Sequence, residues 1–270
     1  MIGENLMRIA QIVPGVGNTS TCTNCLRDAA LLREFRRLGY EVLVVPLYLP
    51  FRPEGQRLAG QVPIFFGGIN VYLQQRFVFF RKTPGWFDRI FDNQKLLEWS
   101  SRKFQMTNMQ VLGQTTVSML KGRDGYQVKE LDRLIGWLNK KENRPDIIYL
   151  SNVLLAGLAK PLKQAIGVGI VCLLEGEEKF LDELTPPCNQ QGWSVLAECV
   201  HGIDAFIATD GSYGDVMKKR LGIGQDKIHV VCADNSDATG AGGYDFDKAA
   251  SRIASVFTGI LKNFTEGDYA

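Results

Sequence analysis

The sequence predicts an α/β fold organised around a doubly wound, Rossmann-like parallel sheet. Three observations predict it. Residues 8–46 read as strand, glycine turn, helix, strand. The same alternation returns after residue 145. The strand runs are apolar on both faces, which suits parallel strands covered by helices above and below.

The first unit is the clearest. Arg8–Val13 alternates into a buried strand, and Pro14-Gly15-Val16-Gly17-Asn18 makes a turn. Thr23 or Asn24 caps a helix that runs to Leu38, with Leu26, Ala29, Ala30, Leu32, Arg33 and Phe35 to Leu38 on its expected stripe. Gly39 ends that helix, and Glu41–Pro46 is a strand of nearly unbroken valine and leucine. This is a βαβ unit.

The second series begins with strand Asp146–Leu150, helix Val153–Ile166 and strand Gly169–Leu174. A helix near Gln190–Val200 leads to strand Ala205–Thr209, helix Ser212–Leu221 and strand Lys227–Val231. Between the two series, a strand over Val62–Phe66 precedes a helical insertion at about 69–142, expected as a lobe at one edge of the sheet. Residues 232–243 are small, polar and glycine-rich and read as a linker. Residues 244–264 form an amphipathic helix with Ala249, Ile253, Val256, Phe257, Ile260 and Leu261 on its apolar side, expected to pack back on the domain.

Composition narrows the function classes. Across 270 residues the net charge is only +2, so there is no electrostatic case for nucleic acid. The longest apolar runs are strand-sized, and the first residues lack the basic start and apolar core of an export signal. The expected compartment is therefore the cytoplasm, with the six cysteines as reduced thiols. Residues 76–103 carry seven Lys or Arg against three acids, interleaved with aromatics. That stretch fits a peripheral membrane contact, a lid over an acceptor, or a lobe packed on the sheet.

Several positions invite chemistry. Gly15, Gly17 and Asn18 lie where a helix N-terminus favours phosphate, or simply form a tight turn. The spacing is not the dinucleotide fingerprint, since Ser20 stands where its third glycine belongs. The second strand also ends in Pro46-Leu47-Tyr48 without an acid, which argues against a nucleotide-dependent oxidoreductase. Cys22 and Cys25 have no second pair of ligands at zinc spacing, so no metal is expected. Ser151 and Asn152, Glu175 to Glu178, and Asp210 with Ser212 each follow a strand. In an open parallel sheet those tips share one rim, where ligands bind. Acids that favour helix starts are the alternative reading.

The opening MRIAQIVPGVGNTSTCTNCLRDAALLREFRRLGYEVLVVPLYLP is similar to the start of family-4 glycosyltransferases. PIFFGGINVYLQQ, RPDIIYLSNVLLAGLAKPLKQAIGVGIVCLLEGEE and DAFIATDGSYGDVMKKRLGIGQDKIHVV follow in the order of that family's N-terminal, acceptor-side domain. The resemblance covers about residues 7–231 and implies a GT-B fold. It implies transfer of a sugar from a nucleotide-sugar donor, used as substrate with no cofactor, to a glycan, lipid or small-molecule acceptor. Carried over by position, Gly15, Gly17 and Asn18 face the donor phosphates, and Glu175 and Glu178 are the catalytic candidates. Ser151, Asn152, Asp210 and Ser212 line the cleft, and Gly67, Gly68, Asn70 and Tyr72 shape the acceptor entrance. The chain departs from the family after KIHVV, where Cys232 to Ser236 replace the usual hinge and no Glu-x7-Glu motif follows. Where the family often has histidine in the strand-end segments, Tyr149 and Glu175 stand here. The expectation is thus an acceptor-side half with little turnover alone. The alternative is a non-catalytic glycan-binding or assembly protein that pairs with a separate donor-domain chain or with its own copies.

Overall fold

The structure, a computed structural model, describes residues 6–14, 23–47, 63, 65–66, 109–231 and 245–267. Six strands form one sheet: β1 Arg8–Val13, β2 Glu41–Pro46, β3 Ile147–Leu150, β4 Gly169–Leu174, β5 Ala205–Ala208 and β6 Ile228–Val230. Their order is β2-β1-β3-β4-β5-β6, and every neighbouring pair is parallel. The chain leaves β1 toward β2 and returns to place β3 on the other side of β1. That reversal makes a crevice at the carboxyl ends of β1 and β3, the place where open parallel sheets take ligands.

Side-chain alternation sends successive residues of each strand to opposite faces. Ile9, Val13, Val42, Val44, Ile147, Tyr149, Val171, Leu173, Ala205 and Ile207 face one helical layer. It is made by α1 (Thr23–Arg37) and the final helix, Phe246–Gly267. Ala10, Ile12, Ile148, Leu150, Ile170, Cys172, Leu174 and Phe206 face the other. That second layer holds α2 (Met109–Leu120), α3 (Val128–Leu138), α4 (Ala159–Ile166), α5 (Glu177–Glu183), α6 (Cys188–Cys199) and α7 (Gly211–Leu221). The final helix is α8. Both faces of the sheet are covered, as the unbroken apolar strands require.

Local chemistry explains where the elements stop. Gly39 takes φ +92°, a left-handed conformation that costs a residue without Cβ little, and Tyr40 N–H returns to the Phe35 carbonyl at 3.1 Å. The expected helix over 153–166 divides into a 3-10 segment, Val153–Leu158, and α4. Pro161 has no N–H to donate to the Gly157 carbonyl, so the α-helical ladder starts only at Ala159. Gly157 also lies so close to α2 that a Cβ there would sit 2.4 Å from the Met119 carbonyl oxygen.

Other expectations resolve differently. Phe65 and Phe66, the described end of the expected strand over 62–66, form a buried bend in which Phe66 has φ 54°. Phe65 N–H reaches the Pro46 carbonyl at 3.4 Å, and the left-handed residue after it stops an extended run. Within the expected insertion, α2 and α3 bury Val117, Leu120, Leu131, Leu134 and Leu138 in the same core cluster as Ile148 and Leu150. The basic aromatic stretch 76–103 and the expected linker 232–243 lie outside the described residues. Cys25 is disulfide-bonded, whereas Cys172, Cys188 and Cys199 are free, so the expectation of six reduced thiols fails at Cys25. Among the described residues no helix is long and apolar enough to cross a membrane.

The last helix docks as its pattern predicts. Ala249, Ala250, Ile253 and Phe257 are buried against α1 and the sheet. Phe257 completes an aromatic triad, with ring centroids 5.6 Å from both Phe35 and Tyr149, which are 6.0 Å from each other. Truncating a fully buried Phe in such a setting costs about 3–5 kcal/mol. We therefore expect Phe257→Ala to lower the unfolding free energy by that much, read as a lower denaturant midpoint at unchanged slope; a loss below about 1 kcal/mol would mean that α8 does not hold this position.

Candidate functional site

Parallel pairing brings Ser151, Glu175 and the Asp210 turn to one rim, at the ends of β3, β4 and β5. What connects them begins on α1. The inward face of that helix is Arg27, Asp28, Ala30, Leu31, Leu32 and Phe35, rotated from the expected stripe so that Leu26 is 56% exposed. An apolar stripe thus turns charged near the rim. Arg27 and Asp28 are only 5% and 3% exposed.

A guanidinium can be buried only with partners. Arg27 Nη2 donates to Asp28 Oδ1 at 3.0 Å and to the Ser151 carbonyl at 3.1 Å, and Nη1 is ion-paired with Glu175 Oε2. Gln11, in the middle of β1, donates through Nε2 to the Asp28 carbonyl at 3.2 Å, which fixes α1 against the sheet. Burial pushes the Asp28 carboxyl above its ordinary range, and this outweighs the lowering effect of Arg27 and Ser151.

Glu177, in the first turn of α5, ties the neighbouring loops. Its Oε1 accepts Val153 N–H at 3.3 Å, and its Oε2 accepts Glu175 N–H at 2.6 Å and the Tyr213 hydroxyl at 2.8 Å. Its own N–H donates to the Tyr213 oxygen at 3.1 Å. One carboxylate therefore joins the loops after β3 and β4 to a side chain of α7, which follows β5. Burial raises the Glu177 carboxyl, tempered first by the Tyr213 hydrogen bond. Burial and then the Glu177 charge raise the Tyr213 hydroxyl.

The remaining expected positions have mixed roles. Asn152 Oδ1 accepts Leu154 N–H at 2.8 Å and caps the 3-10 segment. Asp210 Oδ1 accepts Tyr213 N–H at 2.8 Å and the Ser212 hydroxyl, so this exposed pair caps α7. Those bonds, that from Ser212 foremost, hold the Asp210 carboxyl below its ordinary range. Glu178 keeps one buried carboxylate oxygen without a hydrogen-bond partner among the described residues. Gly15, Gly17, Asn18, Gly67, Gly68, Asn70 and Tyr72 lie outside the described residues. Among the described residues no group of three or more His, Cys, Asp or Glu is placed to hold a metal ion.

The sequence reading reaches the strand tips but not Arg27, Asp28 or Tyr213, and takes Glu177 only as one of a run of acids. The available signal was an Arg-Asp pair at helical spacing from Leu31, Leu32 and Phe35. A separate groove of about 610 Å3 is lined by Lys121, Arg123, Lys160, Pro161, Glu198 and Cys199 among others, and by none of the rim residues.

The chemistry of the rim follows from its charges. One guanidinium faces the carboxyl groups of Asp28, Glu175 and Glu177. Such a set accepts hydrogen bonds from hydroxyl donors well. No model of a known protein family matches the chain, and none of the curated proteins is detectably similar to it.

Both raised acids affect stability in one direction. Between the ordinary value, 3.8 for Asp28, and the raised folded one, the native state binds more protons than the unfolded chain. Its contribution is therefore lost as pH rises through that window. The stability of the wild-type protein relative to Asp28→Asn should fall as pH climbs from about 3.8 upward. Urea titrations across that window check this, and a relative stability that increases would contradict it.

Proposed function

We propose that the chain acts as the acceptor-binding side of a sugar-transfer system, holding a hydroxyl-rich acceptor in the crevice at the carboxyl ends of β1, β3 and β4. The observation that carries this reading is the acid-rich rim around Arg27 at the point where strand order reverses. The partly exposed Glu175 carboxylate presents acceptors for sugar hydroxyls at a rim whose other acids, Asp28 and Glu177, are held by buried partners. The order of sequence segments shared with family-4 glycosyltransferases supports the same assignment. In that reading a nucleotide sugar is the donor substrate, and Glu175 is the carboxylate nearest the acceptor.

A second reading, a binding or assembly protein without turnover, is favoured by one observation. Val216 on α7 and Val230 on β6, the last strand of the described sheet, are 47% and 45% exposed, apolar surface of the kind a partner covers.

A glycan and polyol array, followed by calorimetry on any hit, tests the main proposal. We expect saturable binding of a carbohydrate, with no nucleotide release from nucleotide sugars by the chain alone. Failure to bind any carbohydrate would remove the acceptor-side reading. Acceptor-dependent nucleotide release would replace it with a complete transferase.

A further inference from the structure

Arg27 Nη1 and Glu175 Oε2 are both buried, and neither has a hydrogen-bond partner other than this ion pair among the described residues. The other anchors of the cluster are fixed. Asp28 is 3% exposed and adjacent in sequence, the Ser151 carbonyl belongs to the end of β3, and Glu177 is held by three donors. Glu175 differs in each respect. Its side chain is 34% exposed, its carboxylate has no further tie among the described residues, and the next residue, Gly176, sits at φ 72° where the strand breaks into α5. The cluster thus contains one firmly held guanidinium and one partly exposed, displaceable carboxylate paired with it.

We propose that Arg27 Nη1 is an anion-binding position at the rim, occupied by Glu175 in the free protein and taken by the carboxylate or phosphate of a ligand when Glu175 turns outward. The exchange is charge-conservative, since one anion replaces another. The guanidinium keeps its bonds to Asp28 and Ser151 throughout, so it does not have to be rebuilt on binding. Its planar fork suits carboxylate or phosphate oxygens. A buried donor left without an acceptor is costly, which drives the ligand's anion into the vacated position. Gln11 Oε1, fully buried beside the same helix, has no hydrogen-bond partner among the described residues. The internal carboxylate competes at the effective concentration of a tethered group, millimolar or higher, so simple anions bind the wild-type protein weakly. The inference goes beyond the carbohydrate reading. It defines where an acidic sugar, a sugar phosphate or another small anion would anchor.

The experiment compares the wild-type protein with Glu175→Gln and Glu178→Gln, using inorganic phosphate and acetate as separate probes and chloride as the ionic-strength control. Binding is read by calorimetry, and by the side-chain Nε–H resonance of Arg27 in the intact chain. Glu175→Gln removes the competing charge, whereas Glu178→Gln removes the same charge from the first turn of α5 without uncovering Arg27. We expect phosphate or acetate to bind Glu175→Gln at least about tenfold more tightly than the wild type, with a shifted Arg27 resonance and no such gain in Glu178→Gln. A stronger response to one probe identifies which anion the position prefers. An equal gain in both variants would reduce the effect to general charge relief and overturn the proposal, as would no gain in either. Neither probe is a carbohydrate, so this result and the glycan array fail or succeed independently.

Discussion

The rim depends on one buried carboxylate. Glu177 is 3% exposed, and removing an acid from water is unfavourable unless its oxygens are satisfied. Three donors satisfy them, and each comes from a different place: the turn after β3, the end of β4, and Tyr213 on the helix after β5. Loops after parallel strands share no hydrogen-bond ladder, so nothing in the sheet fixes them relative to one another. The Glu177 carboxylate supplies that fixed reference. Arg27 adds a favourable charge to the same network and extends it to α1.

The fold itself explains why acids collect here and why Arg27 is unusual. In a parallel sheet every crossover helix starts at the carboxyl edge and presents a partly positive N-terminus there. Glu177 and Glu178 in the first turn of α5, and Asp210 before α7, answer that field. A cation buried near the start of α1 is opposed by it. Arg27 is stable only because Asp28, Glu175 and the Ser151 carbonyl surround it. The acids therefore have an ordinary structural cause, and the guanidinium requires a particular one. That asymmetry is why functional weight falls on Arg27 rather than on the number of carboxylates.

The fold was legible because strand periodicity and apolar content are local properties. β1, β2, β4 and the βαβ order lie where the residues indicate, and α8 buries the side that its pattern marks. Legibility failed where a distant contact decides. The phase of α1 follows from an ion pair and a hydrogen bond to residues more than a hundred positions away, which no window around Leu26 contains. The 3-10 segment before α4 reflects a missing N–H at Pro161 together with the close approach of Gly157 to α2. Of the candidate site, the three strand tips were visible because parallel topology alone collects them. The division of labour was not: Asn152 and Asp210 cap helices, Ser212 donates to Asp210, and Glu177 ties loops together.

The polar rim and the final helix form consecutive layers of one structure. Gln11 pairs in register with Tyr149 on the sheet, and both point to the α1 side, as do Ser151 and Glu175. The aromatic triad of Phe35, Tyr149 and Phe257 lies on the same face of the sheet. Arg27, Asp28 and Glu177 are themselves almost wholly buried, so their contacts are less tolerant of an unpaired member than surface ion pairs. Phe257 belongs to α8, which joins the sheet from the far end of the chain. Its Phe257 ring packs on Phe35 of α1, the helix that carries Arg27 and Asp28, so the packing of the last helix and the seating of the buried charges act on one and the same helix.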